Sequence, residues 1–140
     1  MSQAAQTYEE NSISTQDKGK LVVMLYEGAI KYLQVARREL EDGDYASKGT
    51  YIGKAQDIIS ELNSSLDMEV GGDLARDLRS LYNFIYGHLS AANIERDVDK
   101  IDDCIRLLRQ LHGAWEKAAQ QTASSRLSDF SSQNERCFQA

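Results

Sequence analysis

The sequence predicts an all-α protein, an antiparallel up-down-up-down four-helix bundle with a mobile N-terminal segment and a mobile C-terminal tail. Three observations carry this expectation. Apolar residues recur at steps of three and four in four successive segments, each bounded by turn or capping residues. The 140 residues contain no proline, where average usage would supply roughly seven, so nothing interrupts a long helix from within. The connections between segments are short, which favours antiparallel neighbours. A chain of this length is expected to build one hydrophobic core rather than two.

Residues 1–16 are polar with isolated Tyr8 and Ile13, and read as a separate segment ahead of a bundle over 17–122. The first helix is expected from Asp17, as its cap, to Glu41, with Leu21, Leu25, Gly28, Ala29, Tyr32, Ala36 and Leu40 as its core face. Within it the stretch LVVMLYEGAIKYL, Leu21 to Leu33, is apolar over an arc of about 220–240°, against the roughly 100° that a surface helix needs. Val22, Tyr26, Ile30 and Leu33 therefore face a second neighbour, which is another helix or a groove for a partner segment.

Gly43 in the turn Asp42–Gly43–Asp44 can adopt the left-handed conformation that stops a helix, and Asp44 can cap the next. The second helix runs to about Asp67 with Ile52, Ala55, Ile58, Ile59, Leu62 and Leu66 inward. Gly71 and Gly72 are expected to separate it from a third helix, Asp73 to about Asn93, built on Leu74, Leu78, Leu81, Ile85, Leu89 and Ala92, with Tyr82 and Tyr86 beside them. Asp97 or Asp99 caps the fourth, whose seam is Ile101, Ile105, Leu108, His112, Trp115 and Ala119. Residues 123–140 form a Ser-rich flexible tail carrying Leu127, Phe130 and Phe138.

A net charge of −6 and a pI near 4.9 argue against nucleic acid and anionic lipid as partners, because the basic residues do not cluster to overcome the repulsion. No stretch approaches the roughly 18 apolar residues of a spanning helix, and the start MSQAAQTYEENS has neither the basic nor the apolar part of a signal peptide, so a cytoplasmic protein without membrane insertion is expected. Cys104 and Cys137 form no CxxC pair and read as two reduced thiols.

Motifs for chemistry are missing. A di-iron bundle needs Glu-x-x-His pairs, but Ile85 stands three residues before His88 and Arg109 three before His112. His112 reads as a hydrogen-bonded histidine of the bundle interior or edge, and no metal site is expected. The acidic run DVDKIDD, Asp97 to Asp103, fails the calcium-loop template at Ile101, Asp102 and Leu108, and fits a helix start favoured by the helix dipole. An exposed His88 would suit a histidine phosphotransfer domain, the alternative function. Ala91 and Ala92 follow it, however, where that family usually has Lys and Gly. No phosphate loop or nucleophile elbow is present, and neither an enzyme, catalytic residues nor a cofactor is expected.

The run TQDKGKLVVMLYEGAIKYLQVA, Thr15 to Ala36, resembles the signature of the FliS family of flagellar secretion chaperones, whose first helix carries Met-Leu-Tyr-Asp-Gly-Ala. KAQDIISELNSSLD and LYNFIYGHLSAAN resemble its second and third helices, and Trp115 matches a family tryptophan. The resemblance covers about residues 8–119. Where many members have Ser-Pro-x-x-Leu, this chain has Asp17 to Leu21 and no proline.

The resemblance implies a cytosolic chaperone that binds the disordered C-terminal segment of flagellin, blocks its premature polymerisation and delivers it to the flagellar export apparatus. It also implies client contacts on the bundle exterior. In this chain Ile52, Gln56, Ile59 and Asn63 on helix two and Tyr82 and Tyr86 on helix three are expected to form them, the amides hydrogen-bonding client backbone. Tyr8 and Ile13 are expected to anchor the N-terminal segment in the same groove as a displaceable plug. A homodimer is left open.

Overall fold

The structure, a computed structural model, describes residues 15–120. Four helices fill that range: α1 (Thr15–Glu41), α2 (Tyr45–Ser64), α3 (Met68–Glu95) and α4 (Val98–Gln120). Each packs against its chain neighbours, and α4 closes the ring on α1. This is the predicted all-helical four-helix bundle.

The helix ends are set by local hydrogen bonding. Gly43, at φ 79°, ends α1: its N–H donates to the Leu40 carbonyl at 3.1 Å and the Asp44 N–H to that of Glu39 at 2.9 Å. The Asp44 carboxylate then accepts from the Ser47 N–H at 3.1 Å, so one residue closes α1 and caps α2. Asp97 does likewise at the last turn, donating its N–H to Ala92 and accepting from the Asp99 N–H, both at 3.0 Å. Arg96 holds the left-handed position there, at φ 53°, with its guanidinium 3.7 Å from the centre of the Tyr45 ring.

Several boundaries differ from expectation: α2 ends at Ser64 rather than about Asp67, and α3 runs on to Glu95 rather than about Asn93. Helix α1 begins at Thr15, which puts Asp17 within its first turn. Helix α3 begins at Met68 rather than Asp73, because Asp67 accepts from the N–H groups of Glu69 and Val70 and completes a turn before Gly72 is reached. Gly72, at φ 55° and ψ −131°, leaves the helical region and interrupts α3 between this short first turn and the long helix beyond, so the break expected at the Gly-Gly pair is present.

The core phase of α1 also differs. Its buried stripe is Val22, Tyr26, Ala29, Leu33 and Ala36, while Leu25, Gly28 and Tyr32, expected inside, are half-buried and Leu21 is exposed. A stripe displaced by one residue is equally apolar in a stretch this rich in apolar residues, so periodicity could not choose between them. In the centre the hydroxyls of Tyr26 and Tyr82 hydrogen-bond across the diagonal of the bundle. Helices α2, α3 and α4 contribute Ile52, Ile59, Leu62, Ile85, Leu89, Ile101 and Leu108 around them.

Candidate binding surface

The wide apolar arc of α1 resolves at its N-terminal end. There Leu21 and Met24 stand 51% and 63% exposed. Their backbone is fixed by Val22 and Tyr26 in the core, and the side chains project between two grooves. One, of about 470 Å³, lies against α2 and is lined by Leu21, Val22, Met24, Leu25 and Leu62, with Lys18 and Glu61 among its polar residues. The other, of about 380 Å³, lies against α4 and is lined by Val23, Met24, Glu116 and Gln120. Met24 borders both. Apolar walls with a few charged groups at the edge suit an amphipathic segment that buries side chains at helical spacing.

The site residues expected from the sequence divide between two environments. Ile52, Ile59 and Tyr82 have 1% or less of their surface exposed and belong to the interior, because the faces assigned to the groove are the faces on which α2 and α3 meet the core. Tyr86 is 43% exposed. Gln56 and Asn63 lie on the α2–α3 seam, where they already have partners: Gln56 donates to the Tyr86 carbonyl at 3.1 Å and to Ser90 Oγ at 2.8 Å. Asn63 donates to Asn83 Oδ1 at 2.8 Å and accepts from Arg79 Nε at 3.2 Å. These amides tie α2 to α3. Tyr8 and Ile13 lie outside the described residues. Sequence reasoning missed Met24 and placed Leu21 inside; the signal that could have found them was the excess breadth of the apolar arc.

Electrostatic ties cross the other seams. Arg37 on α1 donates to both oxygens of Asp102 on α4, at 2.6 and 3.2 Å, and this contact, more than the nearby Glu41, raises its pKa. His88 is half-buried rather than freely exposed, 3.0 Å from Asp103 and stacked on Phe84. Hydrogen bonds from His88 and then from Arg106 hold the Asp103 carboxyl below the usual carboxylate range. Two members of the acidic run thus serve as partners for other helices.

Lys48, buried at the start of α2, donates to the Asn93 carbonyl at 2.9 Å and to its side-chain oxygen, and burial lowers its pKa. The Cys104 thiol is free and buried, and burial pushes it up to about 12, so it is a packing group and a poor nucleophile. No helix among the described residues is long and apolar enough to cross a membrane.

Four helices closed in a ring over a tyrosine-centred core, with apolar grooves beside the first helix, define a four-helix bundle that keeps apolar surface outside its core. The comparisons with known proteins agree in kind. The family described as "Flagellar protein FliS" matches residues 1–122. The flagellar secretion chaperone FliS of Vibrio cholerae is 37% identical over 116 residues, covering 80% of this chain and 85% of its own. That of Bacillus subtilis is 31% identical over 119 residues, 85% and 88% of the two chains, and that of Salmonella typhimurium 35% over 114 residues, 81% and 84%. The chain belongs to the FliS family, and with it to the flagellar secretion chaperones.

Proposed function

We propose that this protein binds the disordered C-terminal segment of flagellin in the cytoplasm, keeps it from polymerising and assists its delivery to the flagellar export apparatus. The observation that carries this reading is the pair of apolar grooves flanking α1, with Leu21 and Met24 exposed between them. A segment that is unstructured alone can order there, its lost conformational entropy offset by apolar burial on a surface already formed. The accessible part of the α2–α3 seam, Gln56, Asn63 and Tyr86, supplies a second contact; Ile52, Ile59 and Tyr82 shape it from beneath. The segment that carries Tyr8 and Ile13 precedes α1 in the sequence, and in this reading the two residues act as a displaceable plug for the client's site.

Co-purification tests the reading. Flagellin is retained by the wild-type chain, and flagellin lacking its C-terminal segment is not. Leu21→Asp with Met24→Asp weakens retention by about tenfold or more, corresponding to a little over 1 kcal/mol. Because both side chains are exposed, the variant keeps the wild-type helical spectrum and melting temperature. Equal retention of full-length and truncated flagellin removes the proposed client; full retention by the folded double variant removes the grooves.

A further inference from the structure

A second constellation lies on the α1–α4 seam. His112 Nε2 stands 3.0 Å from Glu27 Oε1 and 3.4 Å from Glu116 Oε1, and the three ligand atoms all lie within 4.8 Å of one another. His112 and Glu116 are one turn apart on α4, and Glu27 reaches them from α1. Two carboxylates and an imidazole nitrogen converge on one point.

The charge balance there differs from the other ion pairs among the described residues. Where two carboxylates share a cation elsewhere, the cation is permanent: Arg37 serves Asp102 and Glu41, and Lys100 serves Glu95 and Asp97. His88, the other histidine in an ion pair, faces a carboxylate that also holds Arg106. Among the described residues, the ion pairs of Glu27 and Glu116 are to His112 alone; neither Lys31, one turn beyond Glu27, nor Lys117, beside Glu116, takes part. In the tautomer that leaves the lone pair on Nε2, this arrangement has a cation's place between three acceptors.

We propose that Glu27, His112 and Glu116 bind a divalent transition-metal ion of the zinc type, fastening α1 to α4. One nitrogen and two carboxylate oxygens are a donor set for Zn²⁺ rather than for the all-oxygen shells of Ca²⁺ or Mg²⁺. Zinc bonds of about 2.0–2.1 Å in a tetrahedron set neighbouring ligand atoms about 3.3 Å apart. The two distances from Nε2 already bracket that spacing, and rotation of two exposed carboxylates closes the third. Solvent completes the shell. Glu116 also lines the α4-side groove, so the ion fixes one wall of it.

The test is isothermal titration of the full, chelator-treated chain with ZnCl₂ at neutral pH. One Zn²⁺ per chain is expected, with a melting temperature that rises with Zn²⁺ concentration. Glu27→Gln with Glu116→Gln, close in size and still able to hydrogen-bond His112, weakens binding at least tenfold, whereas His88→Gln and Cys137→Ser leave it unchanged. A Zn²⁺-dependent shift of the His112 ring resonances in the wild-type chain reads the same site without any substitution. Binding that survives the double Gln variant, is lost in Cys137→Ser, or is undetectable below millimolar Zn²⁺ overturns the proposal, and the last result leaves the cluster an ion pair only.

Discussion

Asp103 shows how a residue read as one of several acids at a helix start acquires a particular role. Its carboxylate faces His88 on α3 and Arg106 on its own helix, and hydrogen bonds from both favour the charged form. A carboxyl whose folded pKa is depressed contributes stability that is present above its unfolded value, about 3.9, and lost as pH falls through the folded one. Asp103→Asn is therefore expected to lower the urea midpoint at neutral pH, with the gap from wild type narrowing in the acid range below the ordinary carboxylate value. A gap that stays constant from neutral pH into strong acid contradicts this origin. The sequence located the acid but not its partner, since His88 comes from another helix. The zinc-type cluster was hidden for the same reason: His112 and Glu116 are visible as a spaced pair, but Glu27 joins them only through packing of α1 on α4.

At the scale of elements, all four helices were legible and their ends mostly so, because capping is local. Asp44 and Gly43 behave as their residue types require. The break at the Gly-Gly pair was legible, but the short helical turn that Asp67 caps ahead of it was not. Gly72 adopts a backbone conformation open to glycine almost alone, yet an added Cβ would meet nothing within 4 Å. Gly72→Ala thus isolates backbone strain and is expected to cost about 1–2 kcal/mol. Gly53→Ala, inside α2 with equally open surroundings, is expected to stabilise by up to about 1 kcal/mol through helix propensity. Denaturant unfolding of the two variants checks the opposite signs; equal effects would locate the cause elsewhere.

For the molecule as a whole, the fold class followed from periodicity, and the family from the α1 run, since both are written in consecutive residues. The surface was harder. Hydrophobic spacing marks the residues that face other residues, but it does not separate Tyr82, which meets Tyr26 in the core, from Met24, which meets solvent in two grooves. The LVVMLYEGAIKYL stretch holds both kinds side by side: Val22, Tyr26, Ala29 and Leu33 build the bundle, while Leu21 and Met24 stay exposed on it.

The closed ring has a consequence for how the chain can be cut and rejoined. Three of its four helix pairs are sequence neighbours linked by two or three residues, and only α4 on α1 joins distant parts of the chain. Gly19, Lys20 and Gln120 border one groove, so the outer ends of α1 and α4 lie side by side. A circular permutant that links residue 120 to residue 15 and opens the chain at Gly43 would turn the long-range pair into a local hairpin and the α1–α2 pair into the distant one. The same bundle is expected, assembled in a different order, with loop-closure entropy now falling on α1 and α2.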